Sequence, residues 1–248
     1  MRSIFVKEIN SFFSSIVGYV AIIVFLVACG LFLWVLPDGI LDGGYANLDQ
    51  FFSLAPWVML FLIPAITMRS FSDEFKSGTI EWLSTKPLSD LDIIMGKYFA
   101  SLALIIFALL PTLIYVYSIG NLSMQSYNLD SGGIIGSYFG LLFLAATFSS
   151  VGIFCSSLSS NQIVGFLISV LACIILYSGF EALSRIPAFQ EGPDYYLGMI
   201  GMSFHYNSIS RGLIDTRDVI YFLSLIILFV SLTRLSVNSR TWDTARQD

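Results

Sequence analysis

Few residues in this chain could carry chemistry. Its one histidine, His205, stands three residues after Met202 and six after Met199. Two thioethers and an imidazole at that spacing could hold a soft ion such as copper. The same spacing makes an apolar helix face resting on a membrane with His205 at its polar edge, and we expect this arrangement and no metal. Glu181 precedes Arg185 by four residues near the end of an apolar run. A carboxylate at membrane depth is a functional candidate, but an i,i+4 pair at a helix end accounts for both residues. No serine sits in a nucleophile elbow, and there is no phosphate-binding glycine loop, His-Glu-x-x-His or paired-cysteine motif. Cys29, Cys155 and Cys173 lie inside apolar runs and read as small packing residues. We therefore expect no catalytic residues and no cofactor in this chain, with any ATP bound elsewhere.

The stretch from Arg69 to Ser89 is the one suited to a partner. It is charged and aromatic between two apolar runs. We expect a short helix over about 72–86. Thr79 suits an N-cap, and Glu81 would lie near the positive end of the helix dipole. Ile80, Trp82 and Leu83 give an apolar side, and Pro87 stops the helix. Such a helix is a handle for a partner protein; the same residues would also anchor an interfacial loop in lipid headgroups.

The elements that position these residues follow from composition. Of 248 residues, 56% are hydrophobic and 12% charged, against about 25% charged in an ordinary soluble domain. That leaves too little polar surface to cover a fold in water. Six apolar runs lie near 16–36, 53–69, 98–119, 134–157, 162–183 and 218–236. Each approaches the ~20 residues that cross a ~30 Å hydrocarbon layer. Helix satisfies its own backbone there, and no period-two alternation supports a β-barrel. The expected fold is an all-α integral membrane domain over 1–248. Before the first run, Phe5, Ile9, Phe12 and Phe13 share a helical face with Arg2, Lys7 and Glu8 away from it. That pattern suits an interfacial helix over about 2–15. The run from Ile16 to Leu36 is longer than the apolar core of a secretory signal, and no small-residue cleavage site follows, so it reads as a retained span. Pro56, Pro64 and Pro111 are expected to bend their helices and nothing more.

Lysine and arginine set the expected orientation. With the N-terminus inside, the inner side receives Arg2, Lys7, Arg69, Lys76, Lys86, Lys97, Arg234, Arg240 and Arg246. The outer side receives Arg185, Arg211 and Arg217, so the excess runs as the positive-inside rule requires. Asp38, Asp42, Asp49 and Asp130 then fall outside, and both termini are expected in the cytoplasm.

The segment after the second run resembles the coupling-helix region of type-two ABC exporter permeases. The matching positions are Glu74, Gly78, Thr79, Glu81, Leu83, Pro87, Gly96 and Lys97. The turn Ser159-Ser160-Asn161-Gln162-Ile163-Val164-Gly165-Phe166 is similar to the same family. So is His205-Tyr206-Asn207-Ser208, with Arg211-Gly212-Leu213-Ile214-Asp215-Thr216-Arg217-Asp218 leading into the last run. The resemblance covers nearly the whole chain. Leu54-Ala55-Pro56-Trp57, Phe61-Leu62-Ile63-Pro64-Ala65, Thr67-Met68-Arg69-Ser70-Phe71 and the Leu41-Asp42-Gly43-Gly44-Tyr45 loop make it most like the GldF-type permeases of gliding motility. Trp82 departs from the aliphatic residue usual there and Gly165 from alanine, each keeping the character of its position.

The resemblance implies the membrane half of an ABC transporter in a bacterial inner membrane. Two six-span units would pair, the second an identical chain or a companion subunit with a periplasmic domain. Each would carry a cytoplasmic ATPase subunit that binds ATP and Mg. Glu74, Gly78, Thr79, Ile80, Glu81, Trp82, Leu83 and Pro87 would couple to that ATPase, and Arg2 to Ser15 would be the connecting helix. The outer segment from about Tyr195 to Gly212 resembles the family's short re-entrant helices, with His205, Arg211, Gly212 and Asp215 in or beside it. No nucleic acid partner is implied. An alternative use of the same parts is to transmit ATPase motion to a periplasmic partner without moving a substrate.

Overall fold

The computed structural model describes residues 1–36, 40, 47–79, 89–123, 129–187 and 194–244. Among them there are helices and no strand. Helix α1 (Arg2–Phe13) turns through Ser14 and Ser15 into α2 (Ile16–Trp34). Helix α3 (Asp49–Thr67) passes through a break at Met68 into α4 (Arg69–Ser77). The next rod is α5 (Asp90–Leu109), a 3-10 turn at Leu110–Thr112 and α6 (Leu113–Leu122). Then come α7 (Ser131–Leu158), α8 (Gln162–Ile174), a π-helical turn at Ile175–Gly179 and α9 (Phe180–Ser184). Two short helices, α10 (Asp194–Ile200) and α11 (Met202–Ser210), precede α12 (Thr216–Thr244).

Six rods are long and apolar enough to cross a membrane: 16–34, 49–77, 90–122, 131–158, 162–184 and 216–239. Several extend beyond the apolar runs. The third starts at Asp90 rather than near 98 because Ser89 and Asp92 cap it reciprocally. Asp92 N donates to Ser89 Oγ at 3.2 Å, and Ser89 N donates to the Asp92 carboxylate at 3.4 Å. Two orphan donors of the first turn are thereby satisfied. The fourth starts at Ser131 because Asp130 accepts from Gly133 N at 3.0 Å. The second continues past 69 as the charged helix α4.

The core gathers around α7, on which α3, α8, α11 and α12 all pack. In its apolar window 78% of residues are buried, against 11% for α12. Small residues permit this. A Cβ on Gly140 would stand 3.1 Å from the Tyr206 ring, and Gly152 faces the Thr67 side chain directly. Close backbone approach of this kind is what associates helices in lipid, where apolar surfaces gain nothing by meeting. Cys29, Cys155 and Cys173 are free and buried among these helices. Ile23, Val27, Ile163, Leu171, Ile220 and Ile227 on α2, α8 and α12 face outward.

Pro56 does more than bend α3. It has no N–H to offer the Phe52 carbonyl one turn back. The Tyr206 hydroxyl of α11 donates to that oxygen at 2.6 Å. A defect in one span is thus the docking point for a helix 154 residues away in sequence.

Candidate functional site

The loop after α4 begins with a change of direction. Gly78 ends the helix at φ 68°, and its N–H bonds back to Phe75 O at 3.4 Å. Glycine takes this left-handed conformation without a Cβ penalty. Of the helix expected over about 72–86, residues 72–77 complete α4 and Gly78 interrupts the run, while 80–86 lie outside the described residues. The Thr79 hydroxyl lies 2.9 Å from Ser77 Oγ. Ile80, Glu81, Trp82, Leu83 and Pro87 lie outside the described residues, as do Asp38, Asp42, Lys86 and Arg246.

At the root of that loop stands a buried ion network. Lys97, near the start of α5, is 1% exposed. Its ammonium meets Glu8 Oε1 at 2.7 Å, Glu74 Oε1 at 2.9 Å and the Ser70 carbonyl at 2.6 Å. The ammonium donates hydrogen bonds to Glu8 and to the Ser70 carbonyl, and Glu74 adds an ion pair. The Phe71 ring centroid lies 5.1 Å from the same nitrogen, within cation–π reach. Lys7 on α1 reaches Glu74 Oε1 at 2.9 Å. Burial lowers the Lys7 pKa, but the Glu74 hydrogen bond and the charges of Glu74 and Glu8 outweigh it and raise the group overall. Lys7 is half exposed, so its contribution to stability is small. Lys97 and Glu74 are both buried, and stripping one partner from such a pair costs about 3–5 kcal/mol.

This network ties α1 to both legs of the loop between α4 and α5. Gly96 makes the closure possible, since a Cβ there would stand 3.0 Å from Ile4 of α1. The structure brings Glu74 and Lys97 together from the two ends of the motif. Lys7 and Glu8 complete the site and were not singled out in the sequence, where they read as the polar side of an amphipathic helix.

A second set of bonds fixes the break at Met68. Ser156 Oγ of α7 donates to Met68 O at 2.9 Å and accepts from Phe71 N at 3.0 Å and Ser72 N at 3.2 Å. Ser72 Oγ donates back to Ser156 O at 3.1 Å. One serine therefore serves orphan groups on both sides of a helix interruption. The Gln162 amide donates to the Asp73 carboxylate, so the turn between α7 and α8 is also joined to α4.

The residues expected on the outer side meet at the opposite end of α7. His205 is buried between α11 and α12 instead of lying at the edge of an exposed apolar face. Its Nδ1 is 2.7 Å from Asp218 Oδ1 and its Nε2 2.8 Å from the Met199 carbonyl. The ring stacks on Tyr221 with centroids 3.8 Å apart. Both ring nitrogens face oxygen atoms. Met199 meets the ring through its carbonyl. Gly212 has φ 85° and lies against α7, where a Cβ on Gly136 would stand 2.5 Å from Ile209 O and 2.8 Å from Gly212 Cα. Asp215 accepts from Arg217 N at 3.0 Å, and this backbone bond holds its carboxyl below the usual range. Arg211 Nε donates to Asn207 O at 3.2 Å on the exposed side of α11. Glu181 and Arg185 pair at 2.6 Å as the spacing predicts.

Residues 36–237 match the family described as ABC-2 family transporter protein. The match starts after α2 and takes in α4, the loop, α5, α10 and α11. No curated protein matches the chain.

Proposed function

The chain belongs to the ABC-2 transporter family, and from that membership we propose that it is a permease subunit whose α4–α5 loop couples a separate cytoplasmic ATPase to movement of the spans. The observation that supports this is the buried contact of Lys97 with Glu74 and Glu8 at the root of the loop. A push on residues 79–88 meets two helical legs clamped to each other and to α1. Through the Ser156 bonds the push continues into α7, the centre of the bundle. ATP and Mg belong to the partner.

The same reading places the loop and both termini in the cytoplasm, on the lysine and arginine excess of that side. It pairs the chain with a second permease unit, identical or a companion subunit with a periplasmic domain, in a bacterial inner membrane. We take α10 and α11 as the re-entrant pair of the outer side. The Leu54-Ala55-Pro56-Trp57 and Thr67-Met68-Arg69-Ser70-Phe71 motifs support a GldF-type role in gliding motility. A second reading has the complex deliver ATPase motion to a periplasmic partner. The firm docking of α11 on Phe52, Gly136 and Asp218 favours it, because it gives the outer end a part that moves with the bundle.

Purification of the chain in mild detergent from its native membrane tests the coupling. An ABC ATPase is expected to come with it and to be lost on Glu81→Arg while the chain still inserts. Normal association of that variant would remove the assignment.

A further inference from the structure

Among the described residues Arg69 is a guanidinium without a counterion. It sits where α3 breaks into α4, just past the apolar span. Its Nη1 donates to Ser15 Oγ at 2.8 Å, and its Nε is buried with no partner. A guanidinium has five N–H bonds to donate, and among the described residues this single one is used. Nor is it neutralised by the neighbouring network. There Lys7 and Lys97 are matched by Glu8 and Glu74, which leaves the charge of Arg69 over.

Arg69 opens onto a cavity between α1, α2, α3 and α5. The cavity is amphipathic. Ser11 and Ser15 at the α1–α2 elbow line it beside Arg69, Glu8 lines it with its carboxylate held on Lys97, and Phe12, Ile66 and Leu104 form its apolar wall. The Ser15 hydroxyl accepts from Arg69 and still has its own hydrogen to donate. The accessible space is about 50 Å³. On the same measure one water needs at least ~10–15 Å³, so the space suits a group of a few heavy atoms such as a phosphate and not a whole lipid.

We propose that this cavity binds the phosphodiester of an anionic lipid from the leaflet beside α1, with Arg69 as its counter-charge. The planar fork of arginine suits two phosphate oxygens at once. The level is right, because Ser15 precedes the first residue of α2 and Arg69 follows the last turn of α3. Basic pockets between spans are where anionic headgroups settle. The glycerol and acyl chains then lie outside the cavity along the lipid-facing spans, an anchorage that a free phosphate lacks. A zwitterionic headgroup carries no net charge to offset Arg69 and is disfavoured.

The test uses the full chain, delipidated in detergent, with phosphatidylglycerol, phosphatidylcholine or inorganic phosphate added separately. Thermal unfolding gives the stabilisation, and native mass spectrometry gives the lipid retained per chain. Phosphatidylglycerol is expected to raise the unfolding midpoint and to remain as one retained lipid per chain, with little effect from the other two. Arg69→Gln is expected to weaken retention about tenfold, the loss of a charged hydrogen bond, while Arg185→Gln at the other end leaves it unchanged. Should Arg69→Gln fail to fold, Arg69→Lys keeps the charge without the fork and is expected to retain less lipid than the native chain. Equal stabilisation by phosphatidylcholine or by inorganic phosphate would overturn the proposal, as would native-level retention of phosphatidylglycerol in the Arg69 variants.

Discussion

Lys97 Nζ and Glu74 Oε1 are 2.9 Å apart in a site where both side chains are more than nine-tenths buried. They come from opposite ends of a loop, and Glu8 of α1 closes the same site at 2.7 Å. Lys97→Met would strip Glu8 of its cation and leave Glu74 with only the half-exposed Lys7. We expect a loss of about 3–5 kcal/mol, read as thermal unfolding in detergent. Glu74→Gln added to Lys97→Met should cost much less than the sum of the two, since the second change removes a charge the first has stranded. Additive losses would show that the two side chains act independently.

Tyr206 and Pro56 act on one oxygen. Tyr206→Phe removes the donor to the Phe52 carbonyl and should destabilise the chain by about 1–3 kcal/mol, the cost of a buried unsatisfied acceptor. Pro56→Ala restores a backbone N–H in the position to bond Phe52 O. In that background Tyr206→Phe should be nearly neutral. A double-mutant cycle on unfolding midpoints measures the difference.

Gly78, at positive φ in open space, should respond differently from the closely packed Gly136. Nothing stands within 4 Å of a Cβ on Gly78, so Gly78→Ala should cost only its left-handed backbone, about 1–2 kcal/mol. Gly78→Asn should cost less, because asparagine tolerates that conformation. At Gly136 the φ is ordinary but the new Cβ would press on Ile209 O at 2.5 Å. Gly136→Ala should therefore separate α11 from α7 and destabilise by about 1–3 kcal/mol or more. Protection of α11 against proteolysis, lost in Gly136→Ala and kept in Gly78→Ala, distinguishes the two.

What the sequence made legible was the apolar interior of each span, because lipid demands long uncharged runs. It did not give their ends. Asp90 and Asp92 read as loop by hydropathy, yet with Ser89 they start a helix. Glu74 and Lys97 were visible through resemblance, but no local pattern pairs residues 23 positions apart with an N-terminal Glu8 89 positions from Lys97. His205 illustrates the same limit. Its spacing from Met199 and Met202 described one helix face, whereas its partner Asp218 lies on the next helix. Pro56 carried a readable consequence, an unpaired carbonyl at Phe52, but the sequence could not say that Tyr206 would serve it.

The central claim is that the loop leaving Gly78 docks on an ATPase. A photo-crosslinking residue placed at Thr79, the last described position before the loop, tests it in the native membrane. The expected adduct joins this chain to an ABC ATPase subunit, and the same probe at Arg185 at the opposite end yields none. Adducts from Thr79 with lipid alone, or with partners that are not ATPases, would contradict the coupling role.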